Sequence, residues 1–127
     1  MGPSAPLPIL VIDDNRDTRD VLQAVLRFRR HATVTADNGL TALDYLRAGN
    51  AVSLIVLDLR MPVMDGWTFF RELRADPALA DIPVIAFSAN VEGDFPGAIA
   101  TIRKGIVDPD VMLGIIERVV AGTPPAA

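Results

Sequence analysis

Three aspartates stand where chemistry is easiest to build. Asp13 and Asp14 close the aliphatic run Leu7–Ile12, and Asp58 closes the run Ser53–Leu57. Short runs of this kind, largely apolar and containing β-branched residues, suit strands covered on both faces. In a doubly wound parallel sheet, ligands bind beyond the carboxyl ends of the strands, where the strand order reverses. If these two runs are neighbours at that point, three carboxylates meet in one small volume. Like charges so close repel by several kcal/mol unless something cancels them or a proton stays bound. A divalent cation would cancel them. Oxygen donors without histidine or thiolate select a hard ion, and Mg²⁺, which keeps several waters and needs only a few carboxylates plus a phosphate oxygen, fits best. A lone aspartate at a strand end more often caps the next helix. An adjacent pair with a third on another strand is harder to explain that way.

Two further groups are expected at the same edge. Ser88 ends the run Val84–Phe87, and Lys104 follows a fifth candidate strand near Ala98–Arg103. Taken singly these are a routine loop hydroxyl and a routine surface cation. Yet Lys104 is the only lysine among twelve basic residues, the other eleven being arginine, and a compact ammonium differs from a guanidinium in shape and hydration. A hydroxyl donor, an ammonium and a divalent cation around one carboxylate would stabilise the oxygens of a phosphoryl group transferred to it. Asp58 then becomes a nucleophile that forms an acyl phosphate.

The elements that must position these groups alternate along the chain. Besides the runs named above, Thr33–Ala36 reads as a strand. Between them lie helical stripes: Val21, Leu22, Val25 and Leu26; then Leu40, Leu43 and Leu46; then Trp67, Phe70 and Leu73; and last Val111, Met112, Ile115, Ile116 and Val119. Asp108 followed by Pro109 is a start signal for the last helix. Strand and helix alternating at these lengths imply a parallel sheet between helices. One unit is short. Only nine residues, Ala89–Gly97, separate Ser88 from the fifth strand, and they include Gly93, Pro96 and Gly97. A parallel crossover takes at least about 10 to 12 residues, so the fourth helix is expected to be a single turn or absent.

Composition bounds the rest. The 127 residues, 50% hydrophobic and 22% charged, suit one domain, expected over 7–121 with flexible ends at 1–6 and 122–127 and no attached output domain. The absence of cysteine removes disulfides and thiol chemistry. No apolar run reaches membrane-spanning length and Met1–Pro8 does not read as a secretion signal, so no membrane partner and a cytoplasmic location are expected. A net charge of −4 disfavours a nucleic-acid partner. The single histidine, His31, follows Arg29 and Arg30 at a helix end, where a cap or surface role is expected.

The segments ILVIDDN (9–15), LIVLDLRMPVMDGW (54–67) and PVIAFSAN (83–90), followed by Lys104, resemble the receiver domain of two-component response regulators. The likeness runs from about Leu7 to Val120 and is most specific around Asp58, Met61-Pro62 and Met64-Asp65-Gly66. It implies a flavodoxin-like α/β fold with strand order 2-1-3-4-5. It also implies Asp58 as phosphoacceptor, and Asp13, Asp14, Asp58 and the backbone carbonyl of Arg60 as the Mg²⁺ site. Ser88 becomes the switch hydroxyl and Lys104 the cation on the phosphoryl group. The implied donor is a sensor histidine kinase or phosphotransfer protein, and the implied output is contact with another protein rather than enzymatic turnover. The pattern departs at Thr101, where the family usually has an aromatic that moves on phosphorylation, at Gly105, where it usually has proline, and in the short 89–97 segment.

Three functions compete. One is a phosphorylated single-domain receiver; another is a pseudo-receiver scaffold that binds partners whatever the state of Asp58. The third, a flavin-phosphate binder on the same strand order, fares worst, because three carboxylates repel a phosphate monoester and no glycine-rich phosphate loop follows the first strand.

Overall fold

The computed structural model describes residues 7–88, 97–103 and 108–122, with Ser88 described by its backbone. The elements are β1 (Ile9–Ile12), α1 (Arg16–Phe28), β2 (Thr33–Ala36), α2 (Gly39–Arg47), β3 (Leu54–Leu57), α3 (Gly66–Ala75), β4 (Val84–Ser88), β5 (Ala100–Arg103) and α4 (Pro109–Val120). All strand pairs are parallel, in the order β2-β1-β3-β4-β5. This is the flavodoxin-like order. The order reverses between β1 and β3, and β1 pairs with β3 from Ile9↔Leu54 to Ile12↔Leu57.

Alternation along the strands divides the core in two. Leu10, Ile12, Ile55, Leu57, Val84 and Ala86 point to the side covered by α2 and α3. Ile9, Val11, Leu54, Val56, Ile85 and Phe87 point to the side covered by α1 and α4. Both faces of β1 and β3 are therefore buried, which is why their sequences are continuously apolar.

The helix starts are written locally. Asn15, Asn38 and Asp65 cap α1, α2 and α3 by accepting from the backbone N–H of Thr18, Thr41 and Thr68, each three residues on. Asp108 caps α4, with Pro109 in its first turn, as the sequence predicts.

The buried stripes are narrower than the apolar ones. Val21, Leu40, Trp67 and Val111, expected on the inner faces, are exposed. The core is instead met by Leu22 and Leu26, by Ala42, Leu43 and Leu46, by Phe69 and Leu73, and by Met112, Leu113, Ile116 and Val119. In α3, Phe69 is fully buried while Phe70 sits at the margin with Arg74 stacked over its ring at 4.6 Å. A helix lying on a sheet buries only the residues aimed at it, and apolar periodicity cannot show which edge of a wide stripe that is. The shortened crossover expected at 89–97 and the flexible ends expected at 1–6 and 122–127 lie, apart from Gly97 and Gly122, outside the described residues. Among the described residues, no helix is long and apolar enough to cross a membrane.

Candidate metal centre

The β1–β3 register makes the acidic site. The Ile12↔Leu57 pair is the last of the ladder, so Asp13 and Asp58 are the next residues on adjacent strands. Backbone bonds continue one step: Asp58 N–H donates to Ile12 O at 2.8 Å, and Asp13 N–H to Ala36 O at 3.1 Å. Carboxylate oxygens of Asp13, Asp14 and Asp58 lie within 4.8 Å of one another. Asp13 and Asp58 are 1% and 5% exposed, whereas Asp14 faces solvent. The convergence expected from the sequence is present. The cluster, two of its members buried, suits a hard divalent ion, because such an ion offsets the repulsion that burial strengthens.

None of the three carboxylates serves as a helix cap. Asn15 begins α1 and Asp65 begins α3, so the ordinary structural use of a strand-end aspartate is filled by other residues. Asp13 does support the turn locally: its Oδ1 accepts from Asn15 N–H at 2.9 Å. Its backbone carbonyl accepts from Arg19 Nη1 at 2.7 Å, which ties the β1 end to α1.

The loop after Asp58 is held at several points. Arg60 N–H approaches Asp58 Oδ1 at 3.4 Å, and Arg60 itself is exposed. Gly66 N–H donates to Leu59 O at 3.0 Å. A Cβ at Gly66 would lie 2.7 Å from Asp58 O and 2.7 Å from Leu59 Cα, so only glycine lets α3 begin against this backbone. Val63 adopts φ 70°, and Met64 N–H reaches back to Pro62 O at 2.8 Å, a tight three-residue turn. The Met64 carbonyl receives Gly39 N–H at 3.4 Å, joining the loop to the start of α2. Met61-Pro62 and Asp65-Gly66, where the family likeness is most specific, lie in this loop, but its tie to α2 has no local signal.

Ser88 ends β4, two residues beyond the Leu57↔Ala86 pair, and its backbone is in register with Arg103 of β5. It therefore stands at the same sheet edge as Asp58. Lys104 and Gly105 lie outside the described residues. Thr101 is paired in register with Ala86.

His31 lies elsewhere. Its Nε2 is 3.0 Å from Glu117 Oε2, and Arg29 Nη2 donates to Glu117 Oε1 at 2.8 Å, so the end of α1 is tied to α4. The hydrogen bond from His31, with help from the charge of Arg29, holds the Glu117 carboxyl below its ordinary range. The neighbours of His31 point to a cap or surface role, and a partner 86 residues away leaves no local signal.

The family model described as "Response regulator receiver domain" matches residues 9–109. A cyclic di-GMP phosphodiesterase response regulator, RpfG of Xanthomonas campestris pv. campestris, is 38% identical over 104 residues, covering 80% of this chain and 27% of that protein. The two-component response regulator ORR11 of Oryza sativa is 33% identical over 89 residues, covering 70% of this chain and 60% of that protein. The chain thus spans between about a quarter and three-fifths of these relatives' lengths. A response regulator receiver protein from Pseudomonas putida superposes with a TM-score of 0.82 at 27% identity, covering 91% of this chain and 99% of that one.

Proposed function

This chain belongs to the response regulator receiver family, and from that premise we propose that Asp58 is its phosphoacceptor, loaded from the phosphohistidine of a sensor kinase or phosphotransfer protein. The observation that carries this reading is the position of Asp58: 5% exposed, within 4.8 Å of two other carboxylates, and relieved of any capping duty by Asp65.

In the proposed step, a carboxylate oxygen of Asp58 attacks phosphorus. A P–O bond forms as the P–N bond of the donor breaks, and the bonding pair leaves with the imidazole nitrogen. The product is an aspartyl acyl phosphate. Asp13, Asp14 and Asp58, with the backbone carbonyl of Arg60, would hold Mg²⁺, which when bound supplies charge neutralisation for the transferred oxygens. The Ser88 hydroxyl would donate to one phosphoryl oxygen and the Lys104 ammonium would pair with another. Asp13 is oriented by the Asn15 N–H, and Gly66 and Leu59 hold the backbone on which Asp58 rides, so the nucleophile is positioned before the donor arrives. The chain would act as a regulatory phosphoacceptor that promotes its own phosphorylation and slow hydrolysis, and would signal through protein contacts.

The scaffold reading is supported by Thr101, which occupies the β5 position opposite Ala86 where the family's moving aromatic is expected. One experiment separates the two. The protein is incubated with Mg²⁺ and acetyl phosphate or a sensor kinase, and its intact mass is recorded. One added phosphoryl group, removed by hydroxylamine and absent in Asp58→Asn, is expected. No adduct from any donor leaves the scaffold.

A further inference from the structure

Helix α1 is apolar on two sides. Its inner side buries Leu22 and Leu26. A second row, Val21, Ala24, Val25 and Phe28, follows the i, i+3, i+4, i+7 spacing on the flank beside α4. Val25 is half-buried, Val21 is 62% exposed and Phe28 is 86% exposed. Scattered surface hydrophobics need no explanation. This row is different, because it borders a groove of about 310 Å³ between the two helices, lined by Ala24, Val25, Phe28, Arg29, Asp110 and Leu113. An apolar cavity of roughly 150 Å³ already admits benzene. The fold thus sets a protruding phenyl ring beside a recess able to hold one.

The charges on the groove are arranged in the same self-matching way. One wall ends in the cation Arg29 and the other in the anion Asp110. In a two-fold pair, residue i of one copy meets residue j of the other, and j meets i. Such a pair would set each Arg29 against the other copy's Asp110 while each Phe28 enters the other's groove. Arg29 is already held by Glu117 at 2.8 Å, so this wall is formed before association and little side-chain freedom is lost. We propose that the α1–α4 groove is a self-association face, whose occupant is Phe28 of a second copy of this chain.

The acidic site is left free by this arrangement. α1 starts at Arg16, just past Asp13 and Asp14, and its thirteen residues extend about 20 Å, so Phe28 lies at the far end of the helix from the carboxylates. Association is therefore independent of phosphorylation and can be tested without a phosphodonor.

Light scattering or sedimentation of the unphosphorylated chain is expected to give twice the 13.6 kDa chain mass. Phe28→Lys should weaken association on the order of 10²–10⁴-fold, since two rings per dimer lose their burial. The melting temperature at a dilution where both proteins are monomeric should not change, because the ring is outside the core. Asp110→Lys should also weaken association, by setting like charges together. A wild-type chain that stays monomeric at its solubility limit overturns the proposal, as does a dimer indifferent to Phe28→Lys. A monomeric wild type whose phosphorylation by a sensor kinase is impaired by Phe28→Lys would assign the groove to that partner and overturn it equally.

Discussion

Replacing Asp58 by asparagine should stabilise the metal-free protein and remove most of its response to magnesium. The magnitude follows from the site. With carboxylate oxygens no more than 4.8 Å apart, the buried Asp13–Asp58 pair repels by at least about 3.5 kcal/mol at an effective dielectric of about 20. The Asp14–Asp58 pair, one member facing water, adds about 0.9 kcal/mol at the dielectric of bulk solvent. Among the hydrogen bonds described for Asp58, the one set against this is from Arg60 N–H, which at 3.4 Å is long and contributes about 1 kcal/mol or less. The asparagine oxygen still accepts, so the net gain should be about 3–4 kcal/mol. For a domain of 127 residues that is a rise of about 12–16 °C in melting temperature. Magnesium at ten times its dissociation constant should add about 1.4 kcal/mol to the wild type, and much less to the variant. Thermal melts at neutral pH with EDTA and with Mg²⁺ measure all four values. If the variant melts at or below the wild type in EDTA, or if both gain equally from Mg²⁺, the charge argument is refuted.

Three further outcomes are expected. Gly66→Ala should cost about 1–3 kcal/mol, because the new methyl meets backbone at 2.7 Å on both Asp58 and Leu59; chemical denaturation measures it, and a neutral result would show that α3 can shift. Glu117→Gln should destabilise at neutral pH by about 1 kcal/mol. A carboxyl held below its ordinary range stabilises the fold above that range and loses this contribution as pH falls through its lowered value, so the gap between Glu117→Gln and wild type should close below about pH 4; a constant gap down to pH 2 to 3 would contradict the His31–Glu117–Arg29 linkage. Thr33→Val should stabilise by about 1 kcal/mol in denaturant melts, since the Thr33 hydroxyl is buried and has no hydrogen-bond partner among the described residues, and a loss of stability would show that it has one.

Much of this protein is legible along the chain, where the cause is local. Strands β1 and β3 announce themselves because burial on both faces demands unbroken apolar residues. The cap of α4 is visible as Asp108-Pro109, whereas the caps of α1, α2 and α3, Asn15, Asn38 and Asp65, emerge only in the structure, although each bonds just three residues ahead. The short β4–β5 connection is a matter of counting residues. Helix faces are less legible: Trp67 and Val111 share the apolar period of their helices yet lie outside, because the sheet chooses the buried edge of the stripe.

The types of the elements and the carboxylates at two strand ends are written in the chain, since each depends on backbone preference or burial within a few residues. Packing across the fold makes Asp13 and Asp58 neighbours while Asp14 faces water, brings His31 to Glu117, and sets Phe28 beside a groove. These depend on strand order and helix packing, which join residues far apart in the chain through a shared core, and no local pattern records such a pairing.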